Sequence, residues 1–341
     1  MTQPFAAEVA RCRAAQQAWA ARPVRDRLRP VRELRHLLVE RADALVAAVQ
    51  ADVRRSPDEV VATDLVPTAA AAKYLLTDAE RILKPRRVGW RPLWLLGCRD
   101  TVHRRPWGVV GLIGTWNYPI YITAVPLLQA LVAGNGVLWK PSEHTPKTAD
   151  ALETLFRDAG FPADLLVRLP GDRKAGPQLA EADIDFVHFT GSDGVGRKLA
   201  GRLGERLIPS VLELSGVDAV IVRHDAVVEL AARSAWYGAT LNAGQTCMAS
   251  RRALVDAAVY GRFVEVLMPL AEASGGVGPL LLCPGSGASS ARSNRGPTPP
   301  ARRSSSSTTK SLTRCSPRFC RCRRSSATKP RWPGTTPTRS G

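Results

Sequence analysis

From Pro106 to Trp139 the chain carries no charged residue over 34 consecutive positions. Such a run must be covered by lipid or by protein. A membrane-spanning helix needs about 20 mostly apolar residues without interruption. Here Asn117, Pro119, Pro126, Gln129, Asn135 and five glycines break the run. It parses instead as a strand (VVGLI), a loop (GTWNYP), a helix (IYITAVPLLQALVAG) and a second strand (GVLW). Strands covered on both faces read as continuous apolar runs. The missing charges therefore predict the interior of a helix-covered parallel sheet, and no membrane segment is expected.

The flanking sequence extends this pattern. Residues 5–84 are rich in Ala, Leu, Arg and Glu, and VRELRHLLVERADALVAAV spaces its apolar residues by three and four, which predicts helices. The Pro-, Trp- and Gly-containing stretch KPRRVGWRPLWLLGCRDTVHRRPWG reads as extended strands and turns. From Val109 onward, apolar runs at VVGLI, GVLW, LLVRLP, IDFVHF and SVLEL alternate with helical stretches near 120–133, 145–159, 174–182 and 194–203. After Glu213 come VDAVIV, a helix at 225–240, a loop around Cys247, RRALV and a helix at 258–271. Alternating strands and helices define an α/β fold with a Rossmann-like parallel sheet.

The net charge of +18 would ordinarily point to a polyanion partner, but it is unevenly placed. Residues 273–341 hold 13 Lys/Arg and no acid, which leaves 35 Lys/Arg against 30 acids in residues 1–272. The body is thus charged like an ordinary enzyme surface. The last segment contains 14 Ser, 9 Pro and 8 Gly against 6 Val, Ile, Leu or Phe, with no helical or strand period. Its composition predicts a disordered basic tail. It is either a functional tail or the body's message read out of frame, and the abrupt switch favours the latter. Cys12, Cys98 and Cys247 are too scattered for a disulfide framework, and the N-terminus lacks a signal-type apolar core, so a reduced, cytoplasmic body is expected. In the tail, Cys315, Cys320 and Cys322 match no common zinc pattern and lack a nearby His, so no metal is expected.

Three polar islands interrupt the apolar pattern. Alone, Cys247 in LNAGQTCMAS reads as a small buried hydrophobe. Its neighbours Asn242, Gly244, Gln245 and Thr246 make instead a polar, open loop in which a thiolate could attack carbonyl carbon. Glu213, ending SVLEL, is an exposed strand end or a general base in a partly dry pocket. Asn117 in TWNYP follows a buried strand, where α/β sheets place their ligand crevice. It either forms an Asx turn before Pro119 or donates its NH₂ to a developing oxyanion.

In combination these islands change meaning. PWGVVGLIGTWNYP, AGNGVLWKPSEHTP, VHFTGSDGVGR, LELSG and NAGQTCMASR, in that order, make residues 8–272 resemble the aldehyde dehydrogenase superfamily. The resemblance implies a dinucleotide-binding domain with N-terminal helices over 1–212, including an extended segment near 86–106. It also implies a partial catalytic domain over 213–272, with 273–341 left as the tail. Cys247 then corresponds to the family's nucleophile, Glu213 to its general base, and Asn117, with the backbone N–H of Cys247, to its oxyanion hole. Lys140 and Glu143 correspond to groups holding the adenosine ribose of NAD or NADP. Gly191 and Ser192 match the turn and helix start beside the pyrophosphate, and Thr115 and Trp116 join the cofactor-binding set. A carboxylate at Glu143 leans towards NAD, with NADP left open. The implied reaction oxidises a small aldehyde to a carboxylic acid through a thiohemiacetal and a thioester on Cys247.

The chain also departs from that pattern. LELSGVDAV carries Ser215 and Val217 where the family has Gly and Lys. After GGVGPL at 275–280 the resemblance ends, and with it the family's remaining catalytic motifs and last oligomerisation strand. The expectation is therefore a chain with impaired or no turnover, its exposed sheet faces and edges unprotected. A homodimer is implied for intact members and left open here. The alternative is a non-catalytic remnant whose tail binds nucleic acid or another polyanion. Nothing in the body forms a nucleic-acid motif, so nucleic acid is set aside as the main partner.

Overall fold

The computed structural model describes residues 3–89, 93–95, 97–273 and 318–321. They fall into two compact units, one of residues 3–216 with Gln245–Cys247, the other of Val217–Gly244 with residues 248–273 and 318–321.

The first unit opens with helices. α1 (Ala6–Ala20) buries Val9, Cys12, Gln16 and Trp19, a single stripe at three- and four-residue spacing. α2 (Val24–Arg27), α3 (Arg29–Glu40) and α4 (Ala42–Asp52) follow, α3 burying Val31, Leu34, Leu37 and Leu38. Ser56 starts α5 (Pro57–Val60): its hydroxyl accepts from the Glu59 N–H, and Pro57 takes the first helical position, where no N–H is needed. A π-helical turn over Val61–Leu65 joins α5 to α6 (Val66–Leu83). The stretch after α6 forms a short antiparallel pair, β1 (Arg86–Arg87) with β2 (Thr101–Val102).

The uncharged run folds as its pattern implies. β3 (Val109–Ile113) and β4 (Gly136–Lys140) are buried along their whole length and flank α7 (Tyr121–Val132). Gly134, at φ 96°, ends that helix, and the N–H groups of Gly134 and Asn135 bond back to the carbonyls of Leu131 and Ala130. The polar Asn135 is explained locally: its carbonyl oxygen accepts from the Gly108 N–H and its amide donates to the Ala130 carbonyl. The chain continues through α8 (Pro146–Asp158), β5 (Leu166–Arg168), α9 (Ala175–Glu181), β6 (Phe186–Thr190), α10 (Asp193–Glu205) and β7 (Ser210–Glu213). The strands pair in parallel in the order β5-β4-β3-β6-β7. The chain builds outward from β3 to one side and then, through β6, to the other. The carboxyl ends of β3 and β6 are therefore the switch point, where open α/β sheets bind ligands.

In the second unit β8 (Asp218–Val222) and β9 (Ser250–Val255) pair in parallel beside α11 (Val228–Thr240) and α12 (Tyr260–Ala273). Val222, Ala232, Ala253, Val255, Phe263 and Leu267 form its core. Ile221 and Leu254, alternate residues on the same strands, are exposed. Of the tail beyond residue 273, only Arg318–Arg321 lies among the described residues. Arg318–Arg321 forms β10, parallel to β9 from Arg318 opposite Arg252 to Arg321 opposite Val255. Strand pairing draws on backbone N–H and C=O groups that any non-proline sequence supplies, so a segment without apolar alternation can still cover an open strand edge. The GGVGPL motif and the remainder of the tail lie outside the described residues.

Candidate functional site

Four neighbouring strand ends present the candidate residues at one edge of the first unit's sheet. The loop carrying Thr115, Trp116 and Asn117 follows β3; Lys140 ends β4; Gly191 and Ser192 follow β6; Glu213 ends β7. Backbone bonds tie these ends together, Gly114 N–H to the Lys140 carbonyl and Gly191 N–H to the Glu213 carbonyl, both at 3.0 Å. With strands about 4.8 Å apart, the ends of β3 and β7, two strands distant, stand roughly 10 Å from each other.

Asn117 lies at the centre. Its side-chain oxygen accepts from the Thr115 hydroxyl at 3.0 Å, and its NH₂ donates to the Gln245 carbonyl at 3.0 Å. That second bond brings the cysteine segment to the sheet edge, with Cys247 exposed to solvent. The segment is entered through Asn242, Ala243 and Gly244 at φ 51°, 53° and 74°. A non-glycine residue in this region costs about 1–2 kcal/mol, so Ala243 marks a turn held by its surroundings rather than by its own preference. Cys247 and Asn117 are thus brought together. Glu213 ends β7 at the same edge, where it is exposed.

A second cluster sits at the end of β4. Lys140 is buried at 5 % relative exposure, and its ammonium donates to one Glu143 oxygen at 3.1 Å. The Arg173 guanidinium donates to the other oxygen at 3.2 Å. Partial burial works against the Glu143 charge, but its own backbone N–H, Lys140 and Arg173 outweigh it and hold the carboxyl below its ordinary range. Arg173 carried no signal in the sequence, because its loop lies 30 positions from Glu143.

The donor set fits a dinucleotide. Lys140 and Glu143 offer a donor and an acceptor to a diol, and Thr190, at the switch point, has a buried hydroxyl without a hydrogen-bond partner among the described residues. Ser192 stands at the N-cap of α10, and a Cβ added at Gly194 in its first turn would meet nothing within 4 Å, so that backbone is open to approach. Exposed N–H groups at a helix start favour anionic groups. Among the described residues no group of three His, Cys, Asp or Glu could hold a metal ion, and no helix is long and apolar enough to cross a membrane.

The residues behind Asn117 were not singled out from the sequence. Asp64, in the π-helical turn, is fully buried and pairs with buried Arg55, whose guanidinium lies 4.7 Å from the Tyr118 ring centroid. An acid inside the apolar stretch VVATDLVPT was the available clue.

An open parallel sheet with this strand order, ligand-ready at its switch point, is the architecture of a dinucleotide-binding α/β enzyme. The chain belongs to the aldehyde dehydrogenase family, whose model it matches over residues 3–279. It is 33 % identical over 261 residues to 4,4'-diapolycopene aldehyde oxidase of Methylomonas sp, covering 76 % of this chain and 49 % of that protein. Among solved structures it resembles an NADP-dependent enzyme of E. coli, with a TM-score of 0.73 and 27 % identity over 78 % of this chain and 55 % of that one. It resembles equally PnpE of Pseudomonas sp. WBC-3, solved in complex with nicotinamide adenine dinucleotide, with a TM-score of 0.72 and 30 % identity over 77 % of this chain and 54 % of that one. The chain spans about half the length of the curated relatives it matches.

Proposed function

We propose that this site performs the chemistry of NAD(P)-dependent aldehyde oxidation, with Cys247 as nucleophile, Asn117 as oxyanion donor and Glu213 as general base. The observation that carries the reading is the Asn117–Gln245 hydrogen bond, which sets an amide donor beside an exposed cysteine at a sheet switch point. The Cys247 thiolate adds to the aldehyde carbonyl carbon, and the resulting oxyanion is met by the Asn117 NH₂ and the backbone N–H of Cys247. Bound NAD(P)⁺ supplies the acceptor for the hydride that leaves the former aldehyde carbon as the oxyanion collapses. Cys247 is left carrying a thioester. Glu213 removes a proton from water as its oxygen attacks that carbon; the C–S bond breaks, the carboxylic acid leaves and the thiolate is restored. Bound cofactor would be held at its adenosine ribose by Lys140 and Glu143 and at its pyrophosphate by the turn at Gly191 and Ser192, with Thr115 and Trp116 completing the cofactor-binding set.

Steady turnover is expected to be low, so the first chemical stage is the one to measure. Incubated with an aldehyde panel and NAD⁺ or NADP⁺, then digested and weighed, the protein should show an acyl group on the Cys247 peptide only when cofactor is present. Glu213→Gln should prolong the adduct and Cys247→Ser abolish it. No cofactor-dependent adduct with any aldehyde, or NAD(P)H formation undiminished in Cys247→Ser, overturns the assignment.

A further inference from the structure

Arg55 and Asp64 are a charged pair with side chains 1 % and 0 % exposed. Burying two charges costs several kcal/mol each before their attraction offsets it, and a core of this size could be filled by apolar residues. What the pair touches explains its place. One Asp64 oxygen accepts from the backbone N–H groups of Ile120 and Tyr121, at 3.0 and 2.9 Å. These belong to the start of α7, whose first N–H groups have no partner within the helix. The other oxygen takes the Arg55 guanidinium. The remaining bonds of that guanidinium fork outward, to the Thr63 hydroxyl, the Glu59 carbonyl at 3.2 Å and the Asn117 carbonyl at 3.4 Å. Its face lies against the Tyr118 ring, and the Asn117 residue whose carbonyl it holds donates its own side-chain NH₂ to the Gln245 carbonyl, two positions before Cys247.

We infer that the buried Arg55–Asp64 pair is a positioning unit for the site, fixing the Asn117 loop directly and the Cys247 segment through the Asn117–Gln245 bond. The inference rests on the reading of Asn117 and Cys247 proposed above, but its geometry stands by itself. Two side chains of the N-terminal helical region grip the strand-end loop at three backbone groups, at Asn117, Ile120 and Tyr121. Without them that loop has no regular structure of its own between β3 and α7. The planar five-donor fork of arginine is what lets one residue bind a carboxylate, a carbonyl, a hydroxyl and a ring face together; a lysine would keep the charge and lose the fork. The π-helical turn, a single-turn distortion frequent beside functional sites, carries Thr63 and Asp64 to this point. Burial pushes the Asp64 carboxyl up, and Arg55 and the two backbone N–H groups pull it back.

The test uses Arg55→Lys, which keeps the ion pair, and Thr63→Val, which keeps the pair and removes the hydroxyl that accepts from the Arg55 guanidinium. In the full chain, amide hydrogen exchange is followed at residues 115–118 and 245–247, and the rate of cofactor-dependent acylation of Cys247 is measured. Loss of one hydrogen bond of ordinary strength should speed exchange at 245–247 by about fivefold. Acylation should slow by at least as much, with the aldehyde concentration for half-maximal rate unchanged. A pair that merely filled space would loosen α5, α6 and α7 and leave 245–247 as protected as before. Should Arg55→Lys fail to fold, Thr63→Val decides alone. Folded variants with native exchange at 245–247 overturn the inference. If the unaltered protein shows no acyl adduct, the functional reading falls instead, and the exchange measurement still settles the positioning role.

Discussion

Gly191 and Gly194 lie in the same turn, yet adding one methyl to each should move stability in opposite directions. A Cβ on Gly191 would stand 2.5 Å from Cζ of Phe189 and 3.1 and 3.2 Å from its Cε atoms. Ordinary contact is about 3.4–4 Å, and Phe189 is 4 % exposed, buried in the first unit in one apolar cluster with Ile113, Leu138 and Leu199. The ring cannot swing aside without opening that core. Overpacking of this kind costs about 1–3 kcal/mol, against which the alanine gains roughly 0.4–1 kcal/mol by restricting the unfolded chain. Gly191→Ala should therefore lose about 1–2 kcal/mol in net terms.

At Gly194 the added methyl meets nothing within 4 Å, and the residue sits in the first turn of α10. Only the gain remains, about 0.4–1 kcal/mol. For a unit of this size 1 kcal/mol shifts the melting temperature by about 2–4 °C, so Gly191→Ala should melt about 2–8 °C lower and Gly194→Ala about 1–4 °C higher. Circular dichroism melts of the two variants beside the unaltered protein read both signs. NADH and NADPH fluorescence titrations then report whether the displaced turn also loses cofactor. A Gly191→Ala protein as stable as its parent would show that Phe189 yields, and the tight turn at the switch point would no longer be a requirement of packing. Equal losses at both positions would refute the geometric reasoning altogether.

Two further outcomes are expected. Burial pushes the Cys12 thiol up to about 12; native protein treated with iodoacetamide at pH 8 should remain unlabelled at Cys12 and become labelled at exposed Cys247, both reacting once urea unfolds the chain, and labelling of native Cys12 would contradict its packing between α1 and β4. Burial also lowers the basicity of His188 on β6, with Glu213 pulling weakly the other way. The unfolded chain then binds this proton more readily than the folded one, so the stability His188 contributes is present above its ordinary value of about 6.5 and is lost as pH falls below it; a plot of melting temperature against pH from 8 to 5 should fall more steeply for the parent than for His188→Gln, and parallel curves would refute the assignment.

The sheet was legible because burial on both faces leaves a trace that needs no partner: thirty-four uncharged positions can hardly be anything but interior. Asn117, Glu213 and Cys247 were legible as polar interruptions of apolar elements; Glu213 and Cys247 are exposed, and Asn117 is half-buried in the loop after β3. Arg55 and Asp64 were not, because a charge in a helical stretch normally marks a solvated face, and only the tertiary fold shows that this face is closed. Arg173 stayed hidden for another reason: its partner is set by a loop returning across the sheet edge, which no local pattern encodes. The pairing of Arg318–Arg321 was beyond composition, since side-chain statistics do not report on backbone donors and acceptors.

Arg173 also alters the argument about the cofactor. A lone carboxylate at Glu143 would repel a phosphate on the adenosine ribose and select NAD. In the structure that carboxylate is flanked by Lys140 at 3.1 Å and Arg173 at 3.2 Å, one cation on each oxygen. The three groups together carry a net positive charge. Lys140 is buried and immobile, whereas the Arg173 side chain is 84 % exposed and loses little by turning away. Exposed ion pairs contribute only about 0–1 kcal/mol, so exchanging Glu143 for a phosphate is a small cost to Arg173, and the guanidinium's paired donors suit phosphate oxygens well. On the proposed reading, the end of β4 would accept either cofactor: Glu143 would meet the free hydroxyl of NAD, and Arg173 would turn to neutralise the phosphate of NADP. The discrimination that Glu143 alone would impose would then be cancelled by a residue 30 positions away.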